Sequence, residues 1–181
     1  MDFDYMDLSL VQAMAKGDVR ALEELYSRHG QRLLNYLIGQ VGGDVVLAEE
    51  ILQNVMLAAW KAASNFRGDS KVRTWLIAIA RNQAINARRK HRLTSVPLNE
   101  ADGLHKTGPF EQLLRASERA EVREAIRQLP EDQRETLELI FYHGLTGPEA
   151  AELQGVALGT IKSRLHRAKE TLKYILEGRN E

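Results

Sequence analysis

The chain has 181 residues, enough for one mid-sized domain or two small ones, and 44% of them are apolar, as in an ordinary folded protein. It contains no Cys, which excludes a disulfide framework and a thiolate metal site. Lys plus Arg (25) balance Asp plus Glu (25), and no apolar run approaches the roughly 18 residues that a membrane span requires. The opening MDFDYMDLSL is acidic, the reverse of a secretory signal, so the expectation is a soluble protein of the cytoplasm without an intrinsic membrane segment. After Gly17-Asp18, a helical pattern runs through Leu22, Leu25, Tyr26, Leu33, Leu34 and Leu37. Gly42-Gly43-Asp44 breaks it, with Asp44 placed to cap the next helix. That helix, 45–62, carries an apolar stripe at 47, 48, 51, 52, 55 and 59. The loop 64-SNFRGDS-70 is polar with one Phe, and a long helix follows in which Val72, Trp75, Leu76, Ile79 and Ala80 face a core.

Residues 94–112 include two Pro and two Gly and show no apolar period, the composition of a linker. A second helical set begins near Glu111, and no stretch reads as a strand. The fold class expected is therefore all-α: two small helical domains, 1–93 and 113–181, joined by a flexible linker over 94–112. In the second domain, Thr146-x-x-Glu149 is a capping box with Pro148 in the first turn. Gly147, Ala151, Gly155 and Ile161 have the spacing of a helix-turn-helix: a small residue where the helices cross, Gly in the turn, and an apolar pin in the second helix. Ile161, Leu165, Ala168 and Leu172 then form the buried stripe of that second helix. Lys162, Ser163, His166, Arg167 and Lys169 point outward, with Arg164 on a flank.

Charge is sorted along this frame. Residues 1–60 hold 4 basic against 9 acidic residues, net −5, and 61–92 hold 9 against 1, net +8. Residues 118–155 hold 4 against 9, net −5, and 156–181 hold 6 against 3, net +3. Each half runs from acidic to basic, which suits separate partners for separate faces, the basic ones fitted to phosphate. Exposed helices carry charge runs for solubility as well, so charge alone leaves that reading open. The outward face of 158–172 offers guanidinium, ammonium and hydroxyl groups to phosphates and base edges of duplex DNA. A membrane-surface helix fits less well, because its apolar face lacks Trp and Phe and is needed against 147–153. The upstream basic helix interleaves Trp75, Asn82, Gln83 and Asn86 with cations, a mixture suited to unpaired bases. The bland alternative makes Trp75 a core residue beside Trp60 and Leu76.

The stretches 44-DVVLAEEILQNVMLAAWKAASNFRGDSKVRTWLIAIARNQAINARRK-90 and 129-LPEDQRETLELIFYHGLTGPEAAELQGVALGTIKSRLHRAKETL-172 resemble the two domains of the extracytoplasmic-function sigma factors, in the family's order. The resemblance implies a bacterial RNA polymerase specificity subunit, with core polymerase and promoter DNA as partners and no cofactor. It implies that Glu50, Gln53 and Asn54 meet the β′ clamp helices of core polymerase. Asn65, Phe66 and Arg67 fall in the loop that captures a flipped base of the −10 element, and Asn82 in the adjoining pocket. Lys162, Ser163, Arg164, His166 and Arg167 fall on the helix that reads the −35 element. Leu137, Leu139 and Ile140 either serve the β flap tip or are core. An anti-sigma factor is implied by the family alone. Departures from the pattern are Thr146-Gly147-Pro148-Glu149 in place of Ser-Tyr-x-Glu, and Val156-Ala157-Leu158, which offers the recognition helix no Ser or Thr cap and predicts a first turn that frays without DNA. Other classes weighed are a stand-alone helix-turn-helix regulator, which leaves 64–92 unexplained, and a sigma-mimic adaptor, which would lack the DNA-facing residues. An enzyme is disfavoured: the chain shows no nucleophile triad, phosphate loop or metal cluster, and metal sensing by His143 and His166 is disfavoured without Cys or a carboxylate at ligand spacing.

Overall fold

The computed structural model describes residues 3–94 and 119–177. The chain divides into two compact units, Met1–His105 and Lys106–Glu181. The linker expected at 94–112, apart from Thr94, and the helix start expected near Glu111 lie outside the described residues. Among the described residues every regular element is helical.

The first unit is a bundle of α1 (Phe3–Ala15), α2 (Val19–Gln40), α3 (Val45–Ala62) and α4 (Val72–Thr94), with a 3₁₀ turn at Ala63–Asn65. Two aspartates start helices as the sequence predicts. Asp18 accepts from Arg20 N at 2.9 Å and Asp44 from Leu47 N at 3.0 Å, each satisfying a first-turn donor that has no helical partner. Gly42 and Gly43 both adopt positive φ, +70° and +92°, which ends α2 without a Cβ penalty. The apolar stripe of α3 is buried as expected except at Leu47, which is half-buried, with Ala48, Val55 and Ala59 fully enclosed against α2 and α4. On α4, Val72, Leu76 and Ala80 are buried, joined by Ile77 and Ala84, whereas Trp75 and Ile79 are only partly covered.

The acidic opening segment forms α1, an element the sequence reading leaves unassigned. It packs on α2 and on the 3₁₀ turn. A polar junction pins it. The Asp7 side chain, 8% exposed, accepts from Arg28 Nη1 at 3.1 Å and lies 2.8 Å from His29 Nε2, while Arg28 Nε donates to Glu24 at 2.8 Å. Buried carboxylates persist when paired in this way.

The second unit contains α5 (Arg119–Arg127), α6 (Glu131–Leu137), a π-helical turn (Glu138–Tyr142), α7 (Gly147–Gln154) and α8 (Leu158–Glu177). Helices α5, α6 and α7 all pack on α8. The Thr146 capping box is complete: Thr146 N–H donates to Glu149 Oε2 at 2.7 Å and Glu149 N–H returns to Thr146 Oγ1 at 3.4 Å. Gly155 closes α7 in the left-handed region, φ +66°, and Val156 N–H bonds back to the Ala151 carbonyl at 3.0 Å. Ala150, Ala151 and Ile161 make the crossing core, with Ile140, Val156 and Leu165 packed on it. The helix-turn-helix is thus formed by the residues that announce it.

Candidate nucleic-acid interface

On α8, the small and apolar residues Ile161 and Ala168 are buried, and the 3.6-residue period turns Lys162, Ser163, His166 and Arg167 to solvent. Ser163 Oγ donates to the Thr160 carbonyl at 3.0 Å, and Arg167 folds over it through two long contacts of 3.4 Å to Ser163 O and Oγ. Bonds at that length are weak, so Arg167 exchanges them readily for a stronger acceptor. Lys169 lies over the Phe141 ring, 5.6 Å from its centroid. Ala157, which precedes the first helical residue, has no side-chain oxygen with which to cap the helix start. The Ala157 carbonyl accepts from Thr160 N at 2.9 Å and Ile161 N at 3.3 Å, and the helix is regular from Leu158. Arg164 differs from its neighbours: its side chain is 19% exposed, held by Gln154 and Asp132. The interface offered by α8 is a row of cations and a hydroxyl on a rigid helix, the equipment for phosphate and base-edge contacts in a major groove.

The first unit carries a different surface. Asn65 ends the 3₁₀ turn and is exposed, and Phe66 follows in extended backbone, φ −73°, ψ 113°. The Phe66 ring stacks on Trp75 with centroids 4.7 Å apart and planes tilted by 33°. Trp75 is therefore the platform on which the loop rests, not a residue enclosed in the core. Arg67 pairs with Asp69 at 3.1 Å, but both side chains are more than three-quarters exposed, so the pair contributes little and Arg67 stays available to a phosphate. On α4, Trp75, Asn82 and Arg89 recur at seven-residue intervals and share one face, Asn82 being exposed. An aromatic step, amides and cations on one face can stack, hydrogen-bond and neutralise an unpaired strand.

Glu50, Gln53 and Asn54 are all exposed on α3. Sequence reasoning passed over their neighbours. Val46 (77% exposed) and Leu57 (55%) stand in the i, i+4, i+7, i+11 row with Glu50 and Gln53. The signal was present, because both lie off the buried stripe 48, 51, 52, 55, 59, where an apolar residue has no packing reason to be. For the alternative left open at 137–140, the structure favours core: Leu139 is fully buried and Ile140 packs on the helix crossing. The exposed apolar surface there is the next pair, Phe141 (62%) and Tyr142 (52%). Among the described residues no cluster of three potential metal ligands occurs, and no helix is long and apolar enough to cross a membrane.

The two units have counterparts in known proteins. Residues 25–94 match the Sigma-70 region 2 family and residues 119–172 the Sigma-70, region 4 family. The chain is 34% identical to the RNA polymerase sigma-H factor of Pseudomonas aeruginosa, over 94% of each chain. It is 32% identical to the ECF RNA polymerase sigma-E factor of Escherichia coli, over 92% of each. Among solved structures it is similar to CnrH in complex with the cytosolic domain of CnrY, with TM-score 0.65 and 26% identity over 96% of this chain and 98% of that one. It is also similar to the sigma factor RpoE of Bartonella quintana in complex with the anti-sigma factor NepR, with TM-score 0.64 and 26% identity over 86% and 96%. Two helical units with these faces, matched in order along nearly the full chain, place it among the extracytoplasmic-function RNA polymerase sigma factors.

Proposed function

We propose that the chain binds core RNA polymerase in the cytoplasm, directs it to promoters with −35 and −10 elements, and helps open the DNA. What carries the proposal is the coexistence of two surfaces suited to two states of DNA. The α8 face, through Lys162, Ser163, His166 and Arg167, reads the −35 element as duplex. The loop Asn65-Phe66-Arg67 and Asn82 take a base that has left the stack. Extrusion costs a few kcal/mol, which stacking and edge hydrogen bonds at such a site offset. Glu50, Gln53 and Asn54, flanked by Val46 and Leu57, meet core polymerase. Phosphodiester chemistry belongs to the polymerase. The domains are 1–93 and 113–181 with the linker between them. By analogy with RpoE, solved with the anti-sigma factor NepR, an anti-sigma factor holds this chain inactive.

The test is run-off transcription from pooled bacterial genomic fragments, with core polymerase and this chain as the sole specificity factor. Discrete starts sharing a bipartite element at fixed spacing are expected, with permanganate-reactive thymines in the downstream element. Binding to core without any new start would favour the mimic. Failure to bind core would favour a stand-alone DNA-binding regulator.

A further inference from the structure

Arg164 stands among the DNA-facing residues of α8 in sequence, between Ser163 and His166, yet its guanidinium faces its own domain. Its Nη1 donates to Gln154 Oε1 at 2.7 Å, and its Nε pairs with Asp132 Oδ2 at 3.1 Å. Gln154 is the last residue of α7, and Asp132 lies in the first turn of α6. The hydroxyl of Thr136, a residue with no exposed surface, sits 3.1 Å from the same Gln154 Oε1 and 2.7 Å from the Asp132 carbonyl. Three helices meet at one polar junction. Turning the Gln154 amide over would set its N–H donors against the guanidinium, so Arg164 dictates its orientation, even though Nε2 is then buried without a hydrogen-bond partner.

We infer that Arg164 is a positioning residue, which sets the roll of α8 against α6 and α7, and not a contact to promoter DNA. The inference rests on the reading of α8 as the −35 helix. The apolar seam of α8 is narrow: Ile161 and Ala168 are its buried residues, and apolar contact is non-directional. The hydrogen bond to Gln154 on α7 is directional, and the ion pair to Asp132 on α6 braces the same guanidinium from the other side, so together they resist roll. With side-chain tips roughly 6 Å from the axis, a roll of about 20° moves each by about 2 Å, enough to break every base contact at once. Loss of Arg164 therefore blurs the whole −35 element, where loss of a reader relaxes one position.

The test measures holoenzyme affinity, as a function of salt, for a promoter fragment recovered by run-off transcription, using Arg164→Gln, Arg164→Lys, Gln154→Met and, as a reader control, Arg167→Gln. A side chain that neutralises a phosphate contributes about one to the slope of log K against log salt. Arg167→Gln is expected to lower that slope. Arg164→Gln is expected to weaken binding about tenfold, within the range of one lost base contact, with the slope unchanged. Arg164→Lys keeps the charge but not the fork and should fail to restore binding. Gln154→Met, which removes an acceptor and no charge, should reproduce the loss. A reduced slope for Arg164→Gln, rescue by Arg164→Lys, or full binding by Gln154→Met would overturn the inference. If Arg164→Gln fails to fold, the Lys and Met variants decide on the same criteria. If Arg167→Gln as well as the others leaves binding intact, the reading of α8 itself fails.

Discussion

Glu138 shows what one buried carboxyl does to this fold. It opens the π-helical turn and its carbonyl accepts from His143 N at 3.0 Å. Burial pushes its carboxyl up to about 7, with Arg134 pulling the other way and Glu135 adding to the rise. The folded chain then holds this proton up to about pH 7, whereas the unfolded chain releases it near 4.5. Stability is complete below the lower value and lost as pH climbs through the higher one. Glu138→Gln is expected to stabilise the second unit by roughly 2 kcal/mol above pH 7 and by nothing below pH 4.5, at about 1.4 kcal/mol per unit with a discount for partial exposure. Thermal unfolding across pH checks this, and a gain that does not vary with pH would refute it. At single residues the sequence displays side-chain type but not the partner each side chain meets. The proposal that Phe66 belongs to a base-capturing loop comes from resemblance. That it rests on Trp75 came from two residues nine apart in sequence being brought within 4.7 Å.

Elements whose ends are chemically marked were readable in advance. Asp44, Thr146 with Glu149, and Gly155 act on backbone within four residues of themselves, so local sequence suffices. Gly155 gives the cleanest test. A Cβ there meets nothing within 4 Å, but φ is +66°. Gly155→Ala is therefore expected to cost about 1 kcal/mol from backbone strain alone, and Gly155→Asn less, measured by urea unfolding. Equal costs would mean that packing and not the left-handed turn governs the site. Helix α1 escaped notice for the opposite reason. Its docking depends on Asp7 meeting Arg28 and His29, more than twenty residues away, which no periodicity within α1 records.

For the molecule as a whole, the decisive feature is that charge and shape are divided between two units while the net charge is zero. A near-neutral chain with acidic faces holds down the nonspecific phosphate attraction that dominates DNA binding. Two modest surfaces then act together only when one chain carries both, since a second contact made within one chain benefits from a millimolar effective concentration. Residues 1–93 and 113–181 supplied as separate chains are expected to bind core polymerase at least about 100-fold more weakly than the intact chain. Competition binding against the intact protein measures this. Equal affinity of either half would show that one surface supplies all the binding.

The sequence by itself determined the all-helical class, the helix-turn-helix and the outward cations of α8, because capping, turn chemistry and helical period are local properties of the chain. Only tertiary structure decided that Leu139 is core while Phe141 and Tyr142 are not, that Val46 and Leu57 share a row with Glu50 and Gln53 in the open, and that Arg164 turns inward. Such outcomes depend on which distant atom comes within about 3 Å of a side chain. Packing sets that distance, and no period in the sequence encodes it.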